Sequence, residues 1–273
     1  MSYFLRTAAL LGLLFAIFMA VGWLIAGIAG ASVAFAAALL LNLLTFWFSD
    51  KIVLAIYRAK PLKESHLNRM IAELADKAGI PHPKTYMVES DVPNAFATGR
   101  SPSHSAIAVT AGLVNRLTDH EIRGVLGHEI YHIRHRDTLI STMAAVIAGA
   151  ISWLAYAMYW GGAGQRREGG HAAIALLLFI LAPFAATLIR LAISRSREYH
   201  ADQGGAQISN PLWLAGALEK IEAAATHFRM RGNPSTAHLW IVNPFRADSL
   251  IRIFSTHPPT HERVRRLKEM SSS

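Results

Sequence analysis

Charged residues are absent from Thr7 to Ser49. A membrane-spanning helix needs about 20 apolar residues, so this run is long enough for two. The segment Gly27-Ile28-Ala29-Gly30-Ala31-Ser32 is the predicted turn between them. A cleaved signal peptide would be followed by a polar mature region, and none follows here. Two more uncharged runs, Thr138 to Gln165 and Gly169 to Ile189, are joined by Arg166, Arg167 and Glu168. They read as a second hairpin in the bilayer, the ordinary alternative being a buried helical pair.

The rest of the chain alternates on shorter periods. Lys63 to Lys77 predicts a helix, closed by Gly79 with Pro81 just beyond. Lys84 to Val88 and Ala106 to Thr110 predict strands, and Asn210-Pro211 predicts a helix start with Asn210 as cap and Pro211 in the first turn. Thr118 with Glu121 three residues later predicts a capping box. After it, Ile122, Val125, Leu126, Ile130 and Ile133 recur at helical spacing and form one apolar face.

On that helix stands His128-Glu129-Ile130-Tyr131-His132. Residues four apart share a face, so both imidazoles can reach one metal ion, with Glu129 beside it and able to take a proton from water there. A solvated amphipathic helix is the ordinary alternative. A hydrolytic zinc site needs a third protein ligand and an open position. His135 is two turns from His128, too far for one ion. The metzincin pattern would place a histidine where Thr138 stands, which excludes that subclass. Glu198, four residues before Asp202, is the better candidate. On spacing alone Glu198 and Asp202 are as well explained by pairing with Arg195 or Arg197.

Composition changes the picture in two ways. The 273 residues are 52% hydrophobic, high for a soluble domain, and the uncharged runs account for it. The net charge of +9 is concentrated at the ends of those runs: Arg6, then Lys51, Arg58, Lys60 and Lys63, then Arg134 and Arg136, then Arg190, Arg195 and Arg197. Only Arg166 and Arg167 lie in the opposite loops, so the positive-inside rule puts both termini and the catalytic segments in the cytoplasm. Basic residues at such places suit an anionic bilayer surface, and no nucleic-acid motif accompanies them. With no cysteine there is no disulfide and no thiolate zinc site.

His128-Glu129-x-x-His132, then Ser194-Arg195-Ser196-Arg197-Glu198-Tyr199-x-Ala201-Asp202, together with Asn94-Ala95-Phe96-Ala97-Thr98-Gly99 and His257-Pro258-Pro259-Thr260 followed by Arg263, carry a resemblance. In content and order they are similar to the HtpX-type membrane zinc proteases, bacterial relatives of the CAAX-prenyl-protease metallopeptidases. Tyr131 departs from the family, where many members carry a small residue. The resemblance implies one Zn2+ per chain, held by His128, His132 and Glu198, with Glu129 as general base. It implies Asp202 behind a ligating histidine, and His257 as a donor to the tetrahedral intermediate, although a histidine before two prolines is more commonly a turn residue. Arg263 is expected to brace its segment on a carboxylate. Asn94 is expected either to bond substrate backbone or to shape a turn. Val109, in the strand before the metal helix, is a substrate contact if that strand offers a free edge, and a core residue otherwise.

The fold class expected is a mainly α membrane protein: two transmembrane hairpins, 1–49 and 138–193, with a zincin-like (gluzincin) α+β domain from 50–137 and 194–273. The expected function is a zinc endopeptidase of the bacterial cytoplasmic membrane that removes misfolded membrane proteins. Protein substrates and the lipid bilayer are its expected partners, and no feature sets an oligomeric state. An intramembrane protease is disfavoured by Arg123, Arg134, Arg136 and Asp137 around the motif, because charge in a bilayer is costly. A binding or chaperone-like module with structural zinc is disfavoured by Glu129, which such a site does not need.

Overall fold

The computed structural model describes residues 3–62, 66–143, 195–227, 234–243 and 258–272. His257 and most of the predicted second hairpin lie outside these. Among the described residues the chain is mainly helical with one small mixed sheet.

The N-terminal apolar run forms helix α1 (Tyr3–Ile56), broken at Ala26–Gly27. Gly27 takes φ +58, a conformation glycine adopts without a Cβ clash. The two arms then fold back on each other: the Phe15 and Phe35 rings are 5.4 Å apart, and a Cβ on Gly30 would fall 2.0 Å from the Gly22 carbonyl oxygen. The turn is therefore tighter and earlier than predicted, and residues 28–32 are already helical. Among the described residues no single helix is long and apolar enough to cross a membrane. The bent pair Ala26–Leu41 and Leu43–Ile56, at 44° to each other, is so by length and composition.

After α1 come β1 (Lys60–Pro61), α2 (His66–Ala78), β2 (Lys84–Val88), β3 (Ala95–Ser101) and β4 (His104–Thr110). The sheet order is β1-β2-β4-β3, with β2 and β4 parallel and the outer pairings antiparallel. The strands Lys84 to Val88 and Ala106 to Thr110 form where the sequence predicts them. Strand β3 had no comparable signal: Ala95-Phe96-Ala97-Thr98-Gly99 is poor in β-branched residues, and it is a strand because it pairs with β4. Both faces of the sheet are covered. Ile107, Val109, Ala95 and Ala97 point into one apolar cluster, while Ala106, Ala108 and Phe96 point into another with Val53 and Leu54 of α1 and Tyr57 just after it.

The larger cluster unites the two sides of residues 144–194. It draws on α2, the sheet and α4 (Asp119–Arg134), which follows the short α3 (Ala111–Arg116). It also draws on α5 (Arg195–Ile208), α6 (Pro211–His227) and α7 (Thr260–Ser271) through Ala206, Leu214, Leu218, Ile221, Val264 and Leu267. Helix α6 starts at its predicted cap, Asn210 Oδ1 accepting from Leu212 N–H at 2.8 Å.

Candidate metal centre

Helix α4 is held at its start by the predicted capping box. Thr118 Oγ1 accepts from Glu121 N–H, and Glu121 returns the bond to Thr118 N–H at 2.8 Å. Ile122, Val125, Leu126, Ile130 and Ile133 are all buried, so the apolar face packs inward. His128 and Glu129 are buried as well, while His132 lies half-buried at the mouth of a cleft.

Helix α5 crosses α4 at unusually short range because glycines face each other there. A Cβ on Gly205 would stand 2.6 Å from the His128 backbone nitrogen, and one on Gly204 would enter the Tyr131 ring. The large side chain of Tyr131 is thus accommodated by Gly204. This close crossing carries Glu198 to the two histidines.

The three side chains converge. His128 Nε2 is 3.1 Å from His132 Nε2, and the Glu198 oxygens are 3.8 and 3.5 Å from His128 Nε2 and His132 Nε2. One ligand atom from each lies within 4.8 Å of the others. Tetrahedral zinc with bonds of about 2.0–2.1 Å has ligand-to-ligand edges of about 3.3 Å, which these separations bracket. The far nitrogens are spoken for: His128 Nδ1 is 3.0 Å from Asp202 Oδ1, and His132 Nδ1 is 3.2 Å from Asp137 Oδ2. With both Nδ1 protons on carboxylates, two Nε2 lone pairs face each other, an arrangement that calls for a shared positive charge. The donor set therefore fits a zinc ion.

The carboxylates are themselves anchored. Arg263 donates from Nε and Nη2 to Asp202 at 2.8 and 2.7 Å, and Arg197 donates to Asp137 at 3.1 Å. Burial, aided by the positive charges of His132 and Arg263, holds His128 down at about 4 against the Asp202 bond. Burial would also depress His132, but the bond to Asp137 and the charges of Glu198 and Glu129 outweigh it and raise it to about 9. For Glu129, burial together with the Glu198 charge pushes the carboxyl up to about 7. Without an ion the site gathers protons, as expected where charge balance requires a cation.

The sequence pattern of peptidase family M48 matches residues 61–271. The chain belongs to peptidase family M48. It is a metallopeptidase, and its relatives align along their whole length. The "Protease HtpX homolog" of Persephonella marina is 50% identical over 279 residues, covering 98% of this chain and 97% of that one. The "Protease HtpX" of Legionella pneumophila subsp. pneumophila is 48% identical over 275 residues, covering 97% and 98%. The crystal structure of S. mikatae Ste24p superposes with a TM-score of 0.51 at 20% identity, over 95% of this chain and 62% of that one. That likeness is one of fold.

The cleft of this M48 peptidase lies beside β3, lined by Ala97, Glu129, His132, Glu198, His238 and Trp240 among others, and encloses about 30 Å³. That is room for water. Strand β3 is the outer strand. By antiparallel alternation Ala95, Ala97 and Gly99 turn their backbone groups away from β4. Ala95 C=O accepts from Ile241 N–H at 3.2 Å and Gly99 C=O accepts from Thr138 Oγ1 at 3.1 Å, while Ala97 N–H faces the Glu129 carboxyl and favours its charged form. Val109 is in β4, bonded by β2 on one side and β3 on the other. It has no free edge for an added strand, because β3 lies outside it, and it is a core residue. Asn94 is buried, and its amide donates to Val242 C=O at 2.6 Å while its carbonyl accepts from Ala95 N–H at 3.1 Å. It ties the 239–242 segment to the start of β3.

Sequence reasoning missed Asp137 as a partner of His132 and missed the cleft wall at His238 and Trp240. Asp137 follows a turn in which Arg136 takes φ +59, so helical spacing does not reveal it. His238, whose Nε2 is 2.9 Å from Ser141 C=O, sits in a short 3-10 turn far along the chain and had no local signal.

Proposed function

We propose that this M48 peptidase is a zinc-dependent endopeptidase anchored in the bacterial cytoplasmic membrane, with misfolded membrane proteins as substrates. The observation that carries the reading is Glu129, a buried carboxyl adjoining the His128–His132–Glu198 triangle and lining the same cleft as Ala97 of the outer strand. A structural metal site has no use for that group.

Zinc held by His128, His132 and Glu198 would polarise the scissile carbonyl and lower the pKa of a water toward roughly 7. Glu129 takes the proton of the attacking water on its carboxylate and returns it to the leaving amine. Asp202 and Asp137 hold the imidazoles in the tautomer that leaves Nε2 free. Substrate backbone lies along β3 at Ala97, which lines the cleft beside Glu129, and the 239–242 segment gives way to admit it. His257 donates to the developing oxyanion, a role that rests on family resemblance.

Membrane placement is supported by the apolar surface. Among the described residues every exposed large hydrophobic side chain but Leu212 lies between Met19 and Ile56, on the α1 hairpin. Residues 1–49 and 138–193 would occupy the bilayer, with 50–137 and 194–273 forming the catalytic domain on the cytoplasmic side, where flanking lysine and arginine predominate.

The deciding experiment compares wild type with Glu129→Gln in detergent for zinc content and casein cleavage. Both should hold one zinc per chain, and the variant should cleave at least about 100-fold more slowly. Equal cleavage would end this mechanism.

A further inference from the structure

The outer strand β3 runs from the cleft to the foot of the apolar segments. At its cleft end Ala97 meets Glu129. At its other end the Arg100 guanidinium stacks on the Trp47 ring, 4.6 Å from its centroid. The nearly continuous exposed apolar surface of α1 reaches Trp47 and Phe48; beyond them Lys51 lies over the Phe48 ring, Val53, Leu54 and Tyr57 are buried against the sheet, and Ile56 is the one large apolar side chain exposed among the described residues of the helix end. Aromatic and basic side chains together at such a transition mark a membrane interface.

The second apolar run starts at the same place. Thr138 Oγ1 donates to Gly99 C=O, and Thr142 Oγ1 lies 3.0 Å from Thr98 Oγ1. The Thr98–Arg100 end of β3 is therefore clamped between the bases of both runs. Three residue steps along the strand lead from Ala97 to Arg100, about 10 Å at the usual rise.

From this we infer that the enzyme is a ruler: it cuts substrates within about five residues of the bilayer boundary, selecting bonds by distance from a spanning segment. A polypeptide emerging beside Trp47 and Arg100 needs about three extended residues to cover the distance to Ala97. The Arg100 side chain, bridging strand to interface, adds at most about two more. This rests on the membrane placement proposed above. It adds a substrate class, the juxtamembrane stub of a spanning helix.

The test has two arms, both on the full chain in lipid vesicles. In the first, Trp47→Cys and Arg100→Cys are spin-labelled in a chain with no other cysteine, and label depth is measured against lipid-borne relaxants. Labels at headgroup depth are expected, and labels in bulk water would overturn both the membrane placement and the ruler. In the second, a single spanning helix carries a tail in which one cleavable casein segment is repeated, and cut positions are mapped by mass spectrometry. The copy within about five residues of the boundary should be cut at least tenfold faster than copies more than about fifteen residues away, and detergent should abolish that preference. Equal rates along the tail, with labels at headgroup depth, would overturn the ruler and leave the membrane placement standing.

Discussion

Arg263 grips Asp202 with two hydrogen bonds across 61 positions of sequence, and Asp202 stands 3.0 Å from His128 Nδ1. All three side chains are buried, so C-terminal helix α7 is wired to the metal helix through one carboxylate.

Replacing Asp202 by Asn should weaken zinc binding about 10–100-fold, since the partner that orients His128 loses its charge. Arg263→Met leaves Asp202 buried without its cation and should destabilise the fold by about 3–5 kcal/mol. Chelator competition reads the first effect and urea unfolding the second. Unchanged values for both would remove this linkage from the account.

Zinc binding should strengthen with pH. His132, held at about 9 without the ion, must release its proton to bind, so the apparent affinity should rise about tenfold per unit between pH 7 and 9. Below 7 the slope should steepen, because Glu129, at about 7, releases a second proton. By linkage, groups whose folded values are raised stabilise the metal-free fold at low pH. For His132 that contribution is complete below 6.5 and lost as pH rises through about 9. A pH-independent affinity in competition with a chromophoric chelator would contradict this.

The α4–α5 crossing predicts a contrast between adjacent glycines. Gly205→Ala drives a Cβ into the His128 backbone, which has no room to yield, and should cost at least about 1–3 kcal/mol whatever accompanies it. Gly204→Ala meets the Tyr131 ring first, so Tyr131→Ala should relieve that clash, with a coupling of about 0.5–3 kcal/mol in a double-mutant cycle. Strict additivity for the 204–131 pair would mean that the glycine is not there for the tyrosine.

Chelation should abolish cleavage and lower Tm while leaving the far-UV circular dichroism of a folded chain. Both apolar clusters are assembled without the metal ligands, and the loss is the binding term alone. Complete unfolding on chelation would favour the binding module with structural zinc.

What could be read from the chain was local. The Thr118–Glu121 capping box, the i,i+4 pair His128 and His132, the strand from Lys84 and the Asn210–Pro211 start all depend on neighbours a few residues apart. The hairpin at Gly27 was legible as an uncharged run with glycines, though not to the residue, because several glycines could host the turn. Strand β3 was not, since its pairing with β4 outweighs its composition.

The sequence by itself determined the two histidines, the glutamate between them and the long apolar run, because helical period and hydrophobic length are properties of short stretches. Only the tertiary structure decided the rest: that Asp202 takes His128 and Arg263 while Asp137 takes His132 and Arg197, that β3 rather than β4 is outermost, and that Ile241 lies on its edge. Spacing offers several carboxylates to each cation at similar electrostatic gain, and packing selects among them, here through the glycine-lined crossing of α4 and α5 that brings residues 70 positions apart into one buried site.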